Sequence, residues 1–177
     1  MPKVLLSIKE LVALDQVLIE THAFFRDLRN KTSIARLIHY PSIPSDFSES
    51  LTIHCVNLFF GNGWTAQFGG SISDVQLCRN DERKIVEVKA TTQTGFQEFK
   101  LKDLSADFIV WIHFGNRYID GVGNILIYVL HNPSKYIRRP LRLKMPVFLK
   151  LTHDGSVNGD RKEFKVDSLQ SLLSSRE

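Results

Sequence analysis

The sequence predicts an α/β chain, one mixed β-sheet flanked by helices, and three observations predict it. Residues 4 to 30 place apolar side chains at mostly helical spacing. Residues 74 to 89 hold two short alternating runs joined by a polar cluster, the pattern of a β-hairpin. Phe108 to Phe114 is a continuous β-prone run, as a central strand requires. Helices, then several strands, then a closing helix build a single sheet with helical cover.

A chain of 177 residues suffices for one domain, 1–177, with a core of its own. Hydrophobic residues at 43% and charged residues at 24% are the proportions of an ordinary soluble protein. No apolar run approaches the roughly 20 residues that span a bilayer, so no membrane is expected. The net charge of +4 and a pI of about 9.1 tilt mildly towards polyanionic partners. Cys55 and Cys78 sit in apolar runs without C-x-x-C spacing, which disfavours a disulfide framework and a zinc site. With charge interrupting the amino terminus too early for a secretory signal, a reduced, cytoplasmic protein is expected. The histidines show no H-x₃-H pairing, and neither a P-loop nor a dinucleotide fingerprint is present.

In chain order, residues 4 to about 30 read as one long or two short amphipathic helices, either core packing or a dimer-forming arm within residues 1–40. Ser33 to Tyr40 reads as a further helical turn, and Pro41 and Pro44 enforce a break. A second helix, capped by Ser45 or Asp46, carries Glu49 near its start and stops at Gly61-Asn62-Gly63. Trp64 to Phe68 is a short strand, the hairpin follows, and Phe96 to Asp103 is a short helix or loop. Strands are expected at Phe108–Phe114, Asn124–Leu130 and Leu141–Leu151, a turn at His153–Gly159, and a final helix from Val166 to Leu173 capped by Asp167.

The hairpin carries the chemistry. Glu87 and Lys89 leave one face of their strand while Val86 and Val88 leave the other. A four-residue turn, Asn80 to Arg83, would set Asp74 opposite Lys89 with Glu87 as its diagonal neighbour. Two carboxylates and an ammonium suit a divalent-metal site better than a core. Asp74 and Glu87 would each give Mg²⁺ an oxygen, the Val88 carbonyl a third, and water and a substrate phosphate the rest. Lys89 would then orient or acidify the attacking water, with a phosphodiester as substrate. Glu49 has a plainer reading as a favourable charge near a helix N-terminus. Asp103 and Asp107 read as caps or turn residues.

Asp74, twelve intervening residues and then Glu87-Val88-Lys89 resembles the PD-(D/E)XK, or restriction-endonuclease-like, nucleases. Glu49 on a helix before Gly63-Trp64, the Lys89-Ala90-Thr91 continuation and the segment Lys102 to Trp111 extend the likeness over roughly residues 46 to 114. Ser73 departs from the proline that often precedes the family's aspartate. The resemblance implies a restriction-endonuclease-like central mixed sheet with a catalytic core at 45–131. It implies Mg²⁺-dependent cleavage of double-stranded DNA, with Mn²⁺ able to substitute. Asp74 and Glu87 would hold the ion, Lys89 would handle the water, Glu49 would support, and Gln93, or else Gln97 or Lys100, would contact the scissile phosphate. A small stand-alone chain points to a type II restriction endonuclease acting as a homodimer. The alternatives are a structure-selective repair or Holliday-junction-resolving nuclease, and an inert DNA-binding subunit.

Residues 133–150 carry six basic side chains, Lys135, Arg138, Arg139, Arg142, Lys144 and Lys150, and no acidic one. This stretch is either a DNA-contacting surface or a solvated strand face, with Arg138, Arg139 and Arg142 the first to test.

Overall fold

A computed structural model describes residues 3–33, 35–37, 39–92 and 96–174. The central sheet has six strands: β1 (Thr65–Phe68), β2 (Val75–Arg79), β3 (Glu82–Thr91), β5 (Phe108–His113), β6 (Ile125–His131) and β8 (Arg161–Val166). They lie in the order β1-β2-β3-β5-β6-β8. Among the described residues only β3 and β5 run parallel, so the sheet is mixed, as the sequence predicts. The strands β4 (Gln97–Phe99) and β7 (Leu141–Leu143) form a separate two-stranded ribbon.

The pleat sends alternate residues of β3 and β5 into two different cores. On one face, Val86, Val88, Val110 and Ile112 pack with Val75 and Leu77 against α1 (Ile8–Lys31), α2 (Ser45–His54), α3 (Val56–Phe60) and α8 (Leu169–Ser174). On the other, Ile109, Trp111, Tyr128 and Leu130 meet Phe99, Leu104 and Phe148 from β4, α4 (Leu101–Leu104) and α6 (Met145–Leu151). The short helices α5 (Arg117–Asp120) and α7 (His153–Val157) complete the cover. Among the described residues no helix is long and apolar enough to cross a membrane.

The amino-terminal segment is one continuous helix. Ser7 and Glu10 form its capping box, with the Ser7 N–H donating to Glu10 Oε2 at 2.7 Å. Leu11 and Leu18 are buried, while Val4, Leu5, Ile8, Val12 and Val17 stay exposed.

Several elements differ from expectation, each for a local reason. The hairpin turn has two residues, Asn80 and Asp81, with Arg79 opposite Glu82 and Asn80 at φ 53°. The second helix begins at Ser45 after Pro44 and breaks at Cys55. Among the described residues of the stretch 33–40 there is a 3₁₀ turn at Ala35–Leu37. Phe96–Asp103 divides into β4 and α4. The strand expected over 141–151 ends at Leu143, because Pro146 opens α6 in the first turn, where its missing N–H costs nothing. His153–Gly159 contains α7. Arg161–Val166 forms the edge strand β8, and α8 follows with Ser168, not Asp167, accepting from the Ser171 N–H at 3.0 Å.

Candidate metal and phosphodiester site

β2 and β3 pair only as far as Val75 opposite Val86. Beyond that point Glu87 to Thr91 keep β5 on one side and, among the described residues, have no strand on the other. The sheet therefore forks at Glu87. Asp74 stands at the mouth of the fork, where its Oδ2 accepts from the Val88 N–H at 2.9 Å, replacing a ladder bond that a longer β2 would have made. The preceding turn is closed by Gly69, whose N–H donates to the Asp74 carbonyl at 3.1 Å. A Cβ on Gly69 would stand 1.9 Å from Ser73 Oγ and 2.7 Å from the Ser73 carbonyl oxygen, so this turn admits glycine alone.

The register places Asp74 two residues nearer than expected. Continuing the Val75–Val86 pairing sets it across from Glu87, not Lys89. Both turn lengths are even, so the carboxylate keeps the same face.

Glu87 leaves β3 beside Ile109, and Lys89 beside Trp111. The Glu87 side chain is 1% exposed, and among the described residues neither carboxylate oxygen has a hydrogen-bond partner. Lys102 Nζ, from α4, lies 3.1 Å from Oε2 and Lys89 Nζ 3.9 Å, near enough for charge attraction without an aligned bond. Burial, then repulsion from Asp74, pushes the Glu87 carboxyl up to about 7.

Lys89 donates instead to Asp103 Oδ1 at 2.9 Å. Asp103 is buried, and its Oδ2 also accepts from the Lys100 N–H at 2.7 Å, capping α4. Burial alone would raise the Asp103 carboxyl; donation from Lys100 and Lys89 outweighs it and holds the group below the usual range. Asp103 is thus a cap, as expected, and also the partner of Lys89.

Glu49 is 2% exposed on α2, and Lys3 Nζ reaches its two oxygens at 2.6 and 2.5 Å. Burial raises its carboxyl against the pull of Lys3, and Asp74 adds to the rise. Asp74 acts on both Glu49 and Glu87, so the three carboxylates share one locality.

Among the described residues no group of three or more His, Cys, Asp or Glu side chains stands close enough to hold a metal. Glu49 is turned to Lys3 and Asp103 to Lys89. What remains is Asp74, Glu87 and the Val88 carbonyl, which faces the same open edge as its own N–H. An all-oxygen set with one or two carboxylates suits Mg²⁺, which keeps most of its waters.

Arg138, Arg139, Arg142 and Lys144 are exposed. Arg142 and Lys144 lie over the Phe96 ring, 5.0 and 4.9 Å from its centroid. Gln93 lies outside the described residues. Sequence reasoning misses Lys3 and Lys102 as partners of the acids. No spacing rule connects them to Glu49 and Glu87, because the fold alone brings them there.

No protein-family model, curated protein or solved structure matches this chain. What the side chains can do follows from their own geometry. The fork brings together two carboxylates, a backbone carbonyl, a lysine two residues beyond Glu87 and an open strand edge.

Proposed function

We propose that the chain is a Mg²⁺-dependent endonuclease hydrolysing phosphodiester bonds of duplex DNA, with a restriction-endonuclease-like fold and the action of a type II restriction enzyme. The observation that carries this reading is Glu87, buried with both oxygens unbonded, facing Asp74 across the fork with Lys89 two residues on. When bound, Mg²⁺, or Mn²⁺ in its place, would neutralise the phosphate and acidify the attacking water.

The protein's own groups then have separate tasks. Asp74, Glu87 and the Val88 carbonyl supply ligands, and Glu49 supports them once parted from Lys3. Lys89, held by Asp103, orients the water and faces the negative charge that grows on the phosphate oxygens. Arg138, Arg139, Arg142 and Lys144 neutralise phosphates along the duplex. Cutting both strands takes two sites, so the working form is a homodimer with the exposed apolar side chains of the amino-terminal arm as its interface.

Incubation with a long mixed-sequence duplex and Mg²⁺ or Mn²⁺, followed by sequencing of the ends, tests the activity. Asp74→Ala and Lys89→Ala should abolish cleavage while DNA retention in Ca²⁺ persists. Cleavage of four-way junctions but not plain duplex would move the enzyme to the structure-selective class. If the wild-type chain cuts no nucleic acid, it is a DNA-binding subunit without catalysis.

A further inference from the structure

Just past Lys89, the end of β3 opens onto a cleft of about 370 Å³ whose chemistry the metal site does not use. Its floor is Ala90 to Thr92, and Tyr40 and Phe96 stand among its walls. The floor is fixed, because Thr91 Oγ1 accepts from Trp111 Nε1 at 2.8 Å and pairs with His113 Nδ1 at 3.1 Å.

Tyr40 is fixed as well. Its ring stacks on the buried His22 at 5.5 Å and 8°, and His22 stacks in turn on Tyr118 at 5.3 Å. The His22 Nδ1–H donates to the Leu18 carbonyl at 2.8 Å, which sets the orientation of the middle ring. Phe96 is different: a large apolar ring left 48% exposed. The β4–β7 register, carried one step on, sets Phe96 opposite Lys144 with Arg142 as its diagonal neighbour on the same face. Arg29 adds a third cation, its guanidinium 5.2 Å from the Tyr40 ring. Among the described residues no acidic side chain lines the cleft; Arg142 and Lys144 stand at its rim, with Glu98 opposite Arg142 in the ribbon.

An accessible aromatic platform beside cations is the combination that holds a strand with its bases unpaired: the ring takes a base face and the cations follow the phosphates. A fully paired duplex offers its phosphates to such a rim but keeps its base faces stacked. We infer that this cleft binds one unpaired nucleotide of the DNA strand, with the base on Phe96 and the adjoining phosphate on Arg142 and Lys144. Assigning the strand to DNA rests on the nuclease reading; the stacking site itself does not depend on metal or catalysis.

The test is therefore run in EDTA. Fluorescence anisotropy compares a labelled blunt duplex with the same duplex carrying a short single-stranded overhang, for wild type, Phe96→Ala and Phe96→Tyr. Wild type should favour the overhang by about tenfold, the scale of one stacked base. Phe96→Ala should erase that preference while leaving blunt-duplex binding unchanged, and Phe96→Tyr should keep it. Phe96 is half exposed, so the alanine variant should fold; circular dichroism verifies this. Equal wild-type affinity for the two substrates, or an equal loss on both in Phe96→Ala, overturns the inference. So does displacement of the overhang by micromolar dAMP, which would make the site one for free nucleotides. If the preference holds but Mg²⁺ brings no cleavage of any DNA, the nuclease reading fails and the stacking site stands.

Discussion

Asp15 and Glu87 are both carboxylates withdrawn from water, 5% and 1% exposed, yet their surroundings are opposite. Asp15, on α1, is fully answered. Arg117 grips it with Nη2 at 2.6 Å and Nε at 3.3 Å, and the Tyr118 hydroxyl donates at 3.0 Å. Hydrogen bonding to Asp15 raises the Arg117 guanidinium, while burial and then Asp15 raise the Tyr118 phenol, so each group keeps the protonation the network needs. Among the described residues Glu87 has neither oxygen bonded, with the Lys102 and Lys89 ammonium groups and the Asp74 and Asp103 carboxyl groups as its charged neighbours. A buried charge with matched donors ties elements together, here α1 to α5. One left without them is a standing cost that a structural role does not explain, and such groups gather where ligands bind.

The largest expected effect tests the satisfied side. Asp15→Ala leaves a guanidinium facing an empty site and should destabilise the fold by about 3–5 kcal/mol in urea denaturation. A loss below about 1 kcal/mol would mean the network is ornament, and the contrast with Glu87 would go with it.

The unsatisfied side should behave in the reverse sense. With its folded pKa raised to about 7 from 4.5, Glu87 holds its proton more tightly in the native state than in the unfolded chain. Its favourable contribution is complete below about pH 4.5 and is lost as pH rises through about 7. Glu87→Gln, which cannot ionise, should leave metal-free stability unchanged at pH 4 and raise it by roughly 2–3 kcal/mol at pH 8. A destabilising Glu87→Gln at pH 8 would show that the carboxylate has partners after all.

A divalent ion should relieve the same cost. Mg²⁺ at 100 times its dissociation constant should stabilise wild type by about 2.7 kcal/mol. Asp74→Ala and Glu87→Gln should lose that increment, and EDTA should remove it from wild type. Thermal melts with and without Mg²⁺ read the effect, and an unmoved wild-type melt would leave the fork without an ion.

The sequence shows one half of this contrast more clearly than the other. Alternation places Asp74, Glu87 and Lys89 on one face whatever the turn length, provided it is even. The two-residue turn at Asn80-Asp81 therefore changes the register without changing the face. Asp15 and Arg117 are 102 residues apart, and nothing local marks either as a partner. Asp103 shows the same limit: its cap is a three-residue signal, whereas its bond to Lys89 needs β4 and α4 to turn the chain back. The edge strand β8 escapes notice because most of its side chains are charged or half exposed, so its period of two carries little apolar contrast. In α6 an apolar run resembles a strand, and only Pro146 signals the helix start.

The smallest expected effect separates the two lysines around Glu87. Lys102 Nζ is the nearer, at 3.1 Å, but its side chain is 57% exposed, so water screens the pair. Lys102→Gln should change stability by less than about 1 kcal/mol at pH 8. At pH 4, where Glu87 is protonated, the change should be smaller still. Lys89 is the farther from Glu87, at 3.9 Å, yet is only 11% exposed and bonds the buried Asp103 carboxylate. Lys89→Gln should therefore cost more than Lys102→Gln at both pH values, because Asp103 is held below the usual carboxylate range. Equal losses from the two variants would mean that closeness to Glu87, not burial with Asp103, sets what a lysine is worth here, and Lys89 would lose its place as the anchored amine of the site.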